Sequence, residues 1–227
     1  MKDILIVCAT PFTEDEFFKQ SPLAKYINDY VYYDIDNNGH DCALVFENQK
    51  GLPMVYNNFL KEKENKNKIL VFVHDDVSIE DAFLYKKLNE AITHFDIIGL
   101  AGGSKVKIQS PSLWHLLTDK KTQTGAVAHQ WPNGIVGVST YGPTPQRCLI
   151  TDGLFLAINT EKVQGAGLWF DPNYDFHHWD LQFGLDANNL KLKTGTWPIW
   201  VTHQGLGDSY MSDAWRESEK TFLRVNS

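Results

Sequence analysis

The chain has 227 residues, enough for one domain with a sizeable core, and 43% of them are hydrophobic, which excludes an intrinsically disordered protein. It carries 21 Lys and Arg against 28 Asp and Glu, for a formal net charge of −7. Because such a surface repels phosphate backbones and anionic lipids, binding to bulk nucleic acid or to acidic membranes is disfavoured.

Cysteine usage and hydropathy favour a protein of a reducing compartment. Cys8, Cys42 and Cys148 show no paired spacing, which disfavours a disulfide framework or a cysteine-based zinc site. The apolar stretch at the N-terminus is too short for a signal peptide, and no window approaches the roughly 18–20 apolar residues of a membrane helix. We therefore expect a cytoplasmic protein without a membrane span.

The first hundred residues alternate apolar strands with helices. The predicted strands are residues 4–9, 41–46, 69–73 and 95–100. The predicted helices are residues 22–28, 52–64 and 79–93. Continuous apolar runs of this length are typical of strands covered on both faces. Their alternation with helices predicts an α/β fold with a mostly parallel sheet.

The second half of the chain is less regular. Residues 101–147 are rich in Gly, Ser, Thr, Pro and Trp, which predicts long loops with an antiparallel piece at 135–141. The remaining predicted elements are a strand at 149–158, a helix at 176–190, a strand at 196–201 and a helix at 212–225. We therefore expect one domain over residues 1–227, with a regular half (1–101) and an irregular half (102–227).

Three polar side chains follow the apolar run at residues 69–73, namely His74, Asp75 and Asp76. Ligands bind at the carboxyl edge of open parallel sheets, and carboxylates there can hold a hard divalent cation that leaves positions open for a phosphate. The alternative is that Asp75 and Asp76 only end the strand and cap the next element.

Two further places combine histidine with a carboxylate or a turn. His177 and Asp180 lie one turn apart at the start of a predicted helix, where they suit a base, an acceptor clamp or a shared metal. His203 follows the last predicted strand, as a metal ligand would. Gly102, after another strand, permits close approach of a ligand. Each also has a purely structural interpretation: Asp180 as a favourable charge at the start of a helix, His203 as a turn histidine and Gly102 as part of a simple turn.

Taken in order, these motifs resemble the GT-A glycosyltransferases, most closely the family-2-like branch typified by the streptomycin biosynthesis protein StrF domain. The motifs are Gly51-Leu52, Tyr56-Asn57, residues 71–77, 98–102, 151–157, 170–171, 176–181 and 203–205. They cover about residues 1–205. The resemblance implies a nucleotide-sugar donor (UDP-, GDP- or dTDP-linked), a Mn²⁺ or Mg²⁺ ion, and transfer to a hydroxyl of a glycan, metabolite or other acceptor.

The same resemblance implies roles for the metal-side residues. Asp76 corresponds to the direct metal ligand, with His74 and Asp75 near the donor ribose or the metal's waters. His203 corresponds to the distal metal ligand. Further donor-binding candidates lie at the end of the first predicted strand, on the second predicted helix and after the fourth predicted strand. They are Thr10 and Pro11, Tyr56 and Asn57, and Gly102, respectively.

On the acceptor side, Asp180 corresponds to the base that activates the acceptor hydroxyl. Trp179 stands where the family has the Glu of a Glu-Asp pair. Asp152 matches a position near the diphosphate and the acceptor sugar, and His177 is a further acceptor-side candidate. A single base opposite the leaving group predicts single displacement with inversion.

Two other functions remain open at this point. A metal-dependent hydrolase could use the histidines and aspartates in a zinc or two-metal site, although no histidine pair has the usual ligand spacing. A non-catalytic nucleotide- or carbohydrate-binding module could share the same fold. Tightly retained zinc would favour the first, and a measurable rate of donor hydrolysis would argue against the second.

Overall fold

A computed structural model of the protein describes residues 1–32, 39–205 and 210–227. The strands of this part are β1 (Ile4–Ala9), β2 (His40–Val45), β3 (Ile69–Val73), β4 (Val77–Ile79), β5 (Ile97–Gly99), β6 (Ala101–Gly103), β7 (Gln123–Gln130), β8 (Val136–Gly142), β9 (Gln146–Arg147), β10 (Ile150–Thr151), β11 (Phe155–Asn159), β12 (Thr194–Thr196) and β13 (Val201–His203). The helices are α1 (Glu14–Gln20), α2 (Leu23–Ile27), α3 (Leu52–Lys61), α4 (Leu84–Ala91), α5 (Trp114–Leu117), α6 (Thr160–Gly165), α7 (Trp179–Asn189) and α8 (Asp213–Val225). No helix of these described ranges has the length and apolar character needed to cross a bilayer.

The first sheet has the strand order β2-β1-β3-β11-β5-β12-β9. β2, β1, β3, β5 and β12 all point the same way, while β11 and β9 run in the opposite direction. Every residue of β3 is buried, as its uninterrupted apolar sequence predicts. The α/β fold and mostly parallel sheet are thus present, and both halves of the chain contribute strands to this sheet.

The reversed strand β11 decides what lies at the functional edge. Its first residue, Phe155, pairs with Val73, the last residue of β3. The chain segment that leads into β11 therefore lies at the carboxyl end of β3, where the backbone N–H of His74 donates to the carbonyl of Leu154. Residues of the second half of the chain are brought to the strand ends of the first half in this way.

The second sheet has the order β10-β6-β7-β13-β4, with β8 paired to β7. The predicted loop region contains β7, a long strand that the sequence analysis missed; the predicted antiparallel piece is its partner β8. Many of the residues of β7 are small or polar, so it lacks the apolar run by which the other strands were found. β13 pairs with both β7 and β4 and carries His203 to the functional edge.

Several predicted boundaries were wrong. The helix expected at 79–93 is only α4, because residues 77–79 form β4 against β13. The strand expected at 95–100 divides into β5 and β6, which belong to different sheets. The strands at 149–158 and 196–201 are likewise divided, into β10 with β11 and β12 with β13.

The starts of three helices are set by local capping or backbone conformation. α1 was not predicted, yet Thr13 and Glu16 form a reciprocal capping box at its start. The helix expected at 176–190 begins only at Trp179, because His178 has a left-handed backbone with φ of 60°. In α8 the side chain of Ser212 accepts a hydrogen bond from the N–H of Trp215, close to the predicted start.

Candidate functional site

Two neighbouring cavities lie at the carboxyl edge of the first sheet. The larger, here called the Asp76 cavity, has a volume of about 480 Å³ and follows the ends of β1 and β3. Its lining residues are Ala9, Pro11, Asn48, Gln49, Lys50, Gly51, Leu52, His74, Asp75, Asp76, Asp175 and Phe176. Strand ends, the start of α3 and the segment before α7 thus converge on one space.

The smaller, here called the Asp180 cavity, has a volume of about 270 Å³. Its lining residues are His74, Ser112, Trp114, Asp152, Gly153, Phe176, His177, His178, Trp179, Asp180, Leu181, Tyr210 and Trp215. His74 and Phe176 line both cavities, and their ring centroids are 5.4 Å apart. The two cavities therefore adjoin each other at these two side chains.

Asp76 and His203 meet at the metal-side position that the sequence predicted. The antiparallel pairing of β4 with β13 sets Val77 opposite His203, and this brings Nε2 of His203 to 3.2 Å from Oδ2 of Asp76. Burial raises the pKa of Asp76, but the hydrogen bond and charge of His203 outweigh burial and leave that pKa below its usual value. Burial lowers the pKa of His203, and Asp76 outweighs it in turn, so the net pKa is raised.

The atoms around this pair fit a divalent cation. In the described residues, Oδ1 of Asp76 and Nε2 of His74 are buried without a hydrogen-bond partner, which is costly unless a ligand satisfies them. No group of three or more His, Cys, Asp and Glu side chains in that part of the chain is arranged to hold a metal. Mg²⁺-like ions are commonly held by one or two carboxylates, with substrate phosphates and waters as the other ligands, so a two-residue site suffices.

Asp75 and Thr10 connect β3 to β1 beneath the Asp76 cavity. Oγ1 of Thr10, which is fully buried, donates to Oδ2 of Asp75. Burial raises the pKa of Asp75 in spite of that hydrogen bond. Thr10 therefore orients Asp75 rather than contacting the cavity, whereas Pro11 lines it directly.

Asp180 is held at the second position of α7 with its carboxylate against the turn before β11. The N–H of Gly153 donates to Oδ2 of Asp180 over 2.8 Å. A Cβ on Gly153 would lie 2.7 Å from the Trp179 ring and 2.8 Å from Cβ of Asp180, so this close approach requires glycine. Burial, with the nearby charge of Asp152 as the second cause, raises the pKa of Asp180 to about 7.

The other acceptor-side candidates share the Asp180 cavity in different ways. Asp152 lines it, with Oδ1 accepting a hydrogen bond from the N–H of Leu154. His177 also lines it, but the prediction that His177 and Asp180 share a helix face was wrong, because α7 begins after His177. Trp179 is almost completely buried and packs on Tyr56 and Phe170, so most of its ring is core.

Three more donor-side candidates, like Thr10, do not line the Asp76 cavity. Tyr56 is fully buried against Phe72 and Phe170, and burial raises the pKa of its hydroxyl. Asn57 exchanges two hydrogen bonds with the backbone of Phe170, which fixes α3 to the segment before α7. Gly102 is buried in β6, where a Cβ would clash with the carbonyl oxygen of Ile150 in β10. These residues pack or hydrogen-bond in the elements around the site, and their donor-binding role stays a prediction.

The structure also adds residues that the sequence analysis missed. Phe176 is half exposed between the two cavities, and Lys50 brings a cation to the rim of the Asp76 cavity. His129 of β7 is in register with His203 of β13, and their ring centroids are 5.6 Å apart. Of these, only Phe176 stood inside a recognised motif, and β7 had not been predicted at all.

Comparison with solved structures identifies the fold. A crystal structure of GalNAc-T7 with UDP, GalNAc and Mn²⁺ matches with a TM-score of 0.55 and 10% sequence identity. A crystal structure of S. aureus TarS 1-349 in complex with UDP matches with a TM-score of 0.52 and 11% identity. Each match covers 99% of this chain, but 48% of the GalNAc-T7 chain and 65% of the TarS chain.

No family model matches the sequence, and no curated protein matches it. The StrF-type branch therefore stays a prediction from the motifs. At 10–11% identity the structural matches show the fold alone. That fold, two sheets flanked by helices, is the one seen in GT-A glycosyltransferases.

Proposed function

We propose that this protein is a metal-dependent glycosyltransferase that moves a sugar from a nucleotide-sugar donor to an acceptor hydroxyl. The observation that carries the proposal is the pair of adjoining cavities. One presents Asp76 with His203, and the other presents Asp180, and His74 and Phe176 line both. A transferase needs this division, because the donor and the acceptor must be held separately yet meet at one bond.

On the donor side, Asp76 and His203 would hold Mn²⁺ or Mg²⁺, with the donor diphosphate and water as the other ligands. When bound, such an ion supplies Lewis-acid stabilisation of the negative charge that develops on the leaving diphosphate. His74, kept neutral because burial lowers its pKa, lies beside Asp76 and can donate or accept one hydrogen bond. Lys50 at the rim adds a positive charge toward the phosphates.

On the acceptor side, Asp180 would act as the general base. As the acceptor oxygen bonds to the anomeric carbon, the bond from that carbon to the diphosphate oxygen breaks, and the acceptor proton passes to Asp180. The N–H of Gly153 keeps the carboxylate in place during this step. Because attack comes from the side opposite the leaving group, we expect inversion at the anomeric carbon.

The donor class is supported by the solved relatives of the fold, since GalNAc-T7 was solved with UDP, GalNAc and Mn²⁺ and TarS with UDP. We extend that class to this chain as UDP-, GDP- or dTDP-sugars. The acceptor is a glycan, a metabolite or another hydroxyl compound. The net charge of −7 disfavours a large polyanion such as nucleic acid.

Thermal-shift measurements with UDP, GDP and dTDP, each with and without Mn²⁺, test the donor side directly. A ligand that binds the native state raises the melting temperature, and about 2.7 kcal/mol of stabilisation is expected at a hundredfold excess over Kd. At least one nucleotide should stabilise the protein more with Mn²⁺ than without it. Release of nucleoside diphosphate from the matching sugar donor then separates an enzyme from a binding module. Retained zinc with no nucleotide response would instead favour the hydrolase.

A further inference from the structure

A chain of three hydrogen-bonded side chains lines the wall of the Asp180 cavity. Oγ of Ser112 lies 2.7 Å from Nε2 of His178, and Nδ1 of His178 lies 3.0 Å from Oγ of Ser218. Oγ of Ser218 in turn lies 2.6 Å from the backbone carbonyl oxygen of His177. The three residues come from the turn Pro111–Leu113, the residue before α7, and α8. Neither serine was a candidate from the sequence, and His178 was one only as a metal ligand of the alternative hydrolase.

The direction of every hydrogen bond in this chain follows from its last member. A carbonyl oxygen cannot donate, so the hydroxyl proton of Ser218 must lie between Ser218 and His177. Ser218 can then only accept from Nδ1 of His178, which must carry the ring proton. Burial lowers the pKa of His178 to about 4, with His177 as a smaller cause, so the ring is neutral at pH 7 and its Nε2 is an acceptor. The proton of Ser112 is therefore directed to Nε2.

The backbone conformation at His178 is unfavourable for a residue with a side chain. His178 has φ of 60°, a conformation that disfavours a non-glycine residue. Its ring packs against Trp215 and Phe222, which lie on the same face of α8 as Ser218. Glycine would relieve the backbone but remove both hydrogen bonds, so the ring has a role that the turn alone does not require.

We infer that Ser112 is a specificity-determining residue that presents only hydrogen-bond acceptor lone pairs to the Asp180 cavity and there binds a hydroxyl group of the acceptor substrate. The inference rests on the proposed function. Ser112 lines the same cavity as Asp152 and Asp180, whose carboxylate oxygens accept hydrogen bonds from the backbone N–H groups of Leu154 and Gly153. Three acceptors facing one small cavity suit a neutral compound with several hydroxyl donors and disfavour an acidic or phosphorylated one.

The first experiment reads the proton arrangement without any substrate. In protein labelled with ¹⁵N-histidine, long-range ¹H–¹⁵N correlation spectra distinguish the two neutral tautomers. We expect His178 as the Nδ1–H tautomer between pH 6 and 8, and a loss of that preference in Ser218→Ala. An Nε2–H tautomer or a charged ring in the wild-type protein would reverse the direction of the chain and overturn the inference.

The second experiment measures acceptor binding. Methyl glycosides of glucose, galactose, mannose and N-acetylglucosamine are titrated, by ligand-observed NMR, into wild type and Ser112→Ala in the presence of Mn²⁺ and the nucleotide that binds. Loss of one neutral hydrogen bond should weaken the best glycoside about 5–10-fold. Ser112→Thr keeps the hydroxyl and should restore binding. Ser110→Ala is the matched control, because the Ser110 hydroxyl contacts only its neighbour's carbonyl.

Deoxy analogues of that glycoside make the assignment specific. Removal of one particular hydroxyl from the glycoside should weaken its binding to wild type about as much as Ser112→Ala does. The same removal should not weaken binding to Ser112→Ala any further, as expected when the two groups contact each other. Equal behaviour of wild type and Ser112→Ala toward every methyl glycoside, shared failure to bind included, overturns the inference. Nucleotide binding and donor hydrolysis by the wild-type protein test the proposed function separately. If both are absent, the proposed function fails instead.

Discussion

The two cavities use the same kind of side chain under opposite electrostatic conditions. Asp76, in the larger cavity, has a pKa below its usual value because His203 outweighs the effect of burial. Asp180, in the smaller one, has a pKa of about 7 because burial and the charge of Asp152 both oppose ionisation. One carboxylate therefore stays charged across the physiological range, and the other gains or loses a proton within it.

This difference in pKa supports the two roles proposed for the carboxylates. A group that stays negatively charged can hold a cation continuously, and Oδ1 of Asp76, buried without a partner in the described part of the chain, is available for one. A group that titrates near neutrality can take a proton and return it, as general-base work requires. The cause is the partner, since burial raises both pKa values, while His203 lowers that of Asp76 and Asp152 raises that of Asp180 further.

The largest expected effect is on turnover, from Asp180→Asn. The change keeps the shape of the side chain and removes the proton acceptor, so the rate of sugar transfer should fall about 10²–10⁴-fold while donor affinity stays within a few fold. Asp186→Asn is the control, since Asp186 is on the same helix but lines neither cavity and bonds Gln182. Nearly full activity in Asp180→Asn would remove Asp180 from the mechanism and direct attention to Asp152.

The second effect is on donor binding, from Asp76→Ala. Removing the carboxylate should weaken Mn²⁺-dependent nucleotide binding by at least about 10²-fold. Mutation of a group that only hydrogen-bonds to a metal ligand lowers metal affinity about 10–100-fold, and loss of a direct ligand should lower it at least as much. Binding without Mn²⁺ should change little. Asp15→Ala makes the same change in net charge at an exposed position of α1 and should have no effect. If both variants bind nucleotide with Mn²⁺ as well as wild type does, the metal site lies elsewhere.

The third effect is on the pH profile. The base is active when ionised, so kcat/KM should fall about tenfold per unit below a midpoint near pH 7, at saturating Mn²⁺. Asp152→Asn removes the like charge that is the second cause of the raised pKa and should move this midpoint downward. A profile that is flat between pH 5 and 8 would show that proton transfer to Asp180 does not limit the reaction.

How much of the site could be predicted from the sequence depends on whether a contact follows from the regular geometry of the sheet. The Asp76–His203 contact was predicted, because each residue follows an apolar strand and strand ends share one edge, and the two residues do meet. Their metal-binding role stays a prediction. Tyr56 and Asn57 also matched a motif, but a short motif on a helix does not say which face points to the core, and both are buried.

The Asp180 cavity was harder to predict because its walls come from distant segments. The turn at residues 111–113, the turn before β11, the residue before α7 and one face of α8 meet only in the folded chain. His178 is the clearest case, since its left-handed backbone ends the predicted helix early and its ring connects Ser112 to Ser218. No periodicity in the sequence indicates either feature.

The smallest expected effect is on stability, and its sign separates burial of Asp180 from any catalytic role. The folded protein holds the Asp180 proton up to about pH 7, whereas the unfolded chain releases it near 3.8, the usual pKa of an aspartate. This group therefore contributes most to stability below pH 3.8, and that contribution is lost as the pH rises through 7. Asparagine has no proton to lose. The free energy of unfolding of Asp180→Asn should therefore be close to that of wild type at pH 5 and exceed it by about 1–3 kcal/mol at pH 8. Thermal unfolding of Asp180→Asn and of wild type at pH 5 and at pH 8 measures this difference in stability. A variant that is less stable than wild type at pH 8 would show that the ionised carboxylate is better accommodated by the Gly153 N–H than its burial implies, and the pH midpoint of turnover should then lie well below 7.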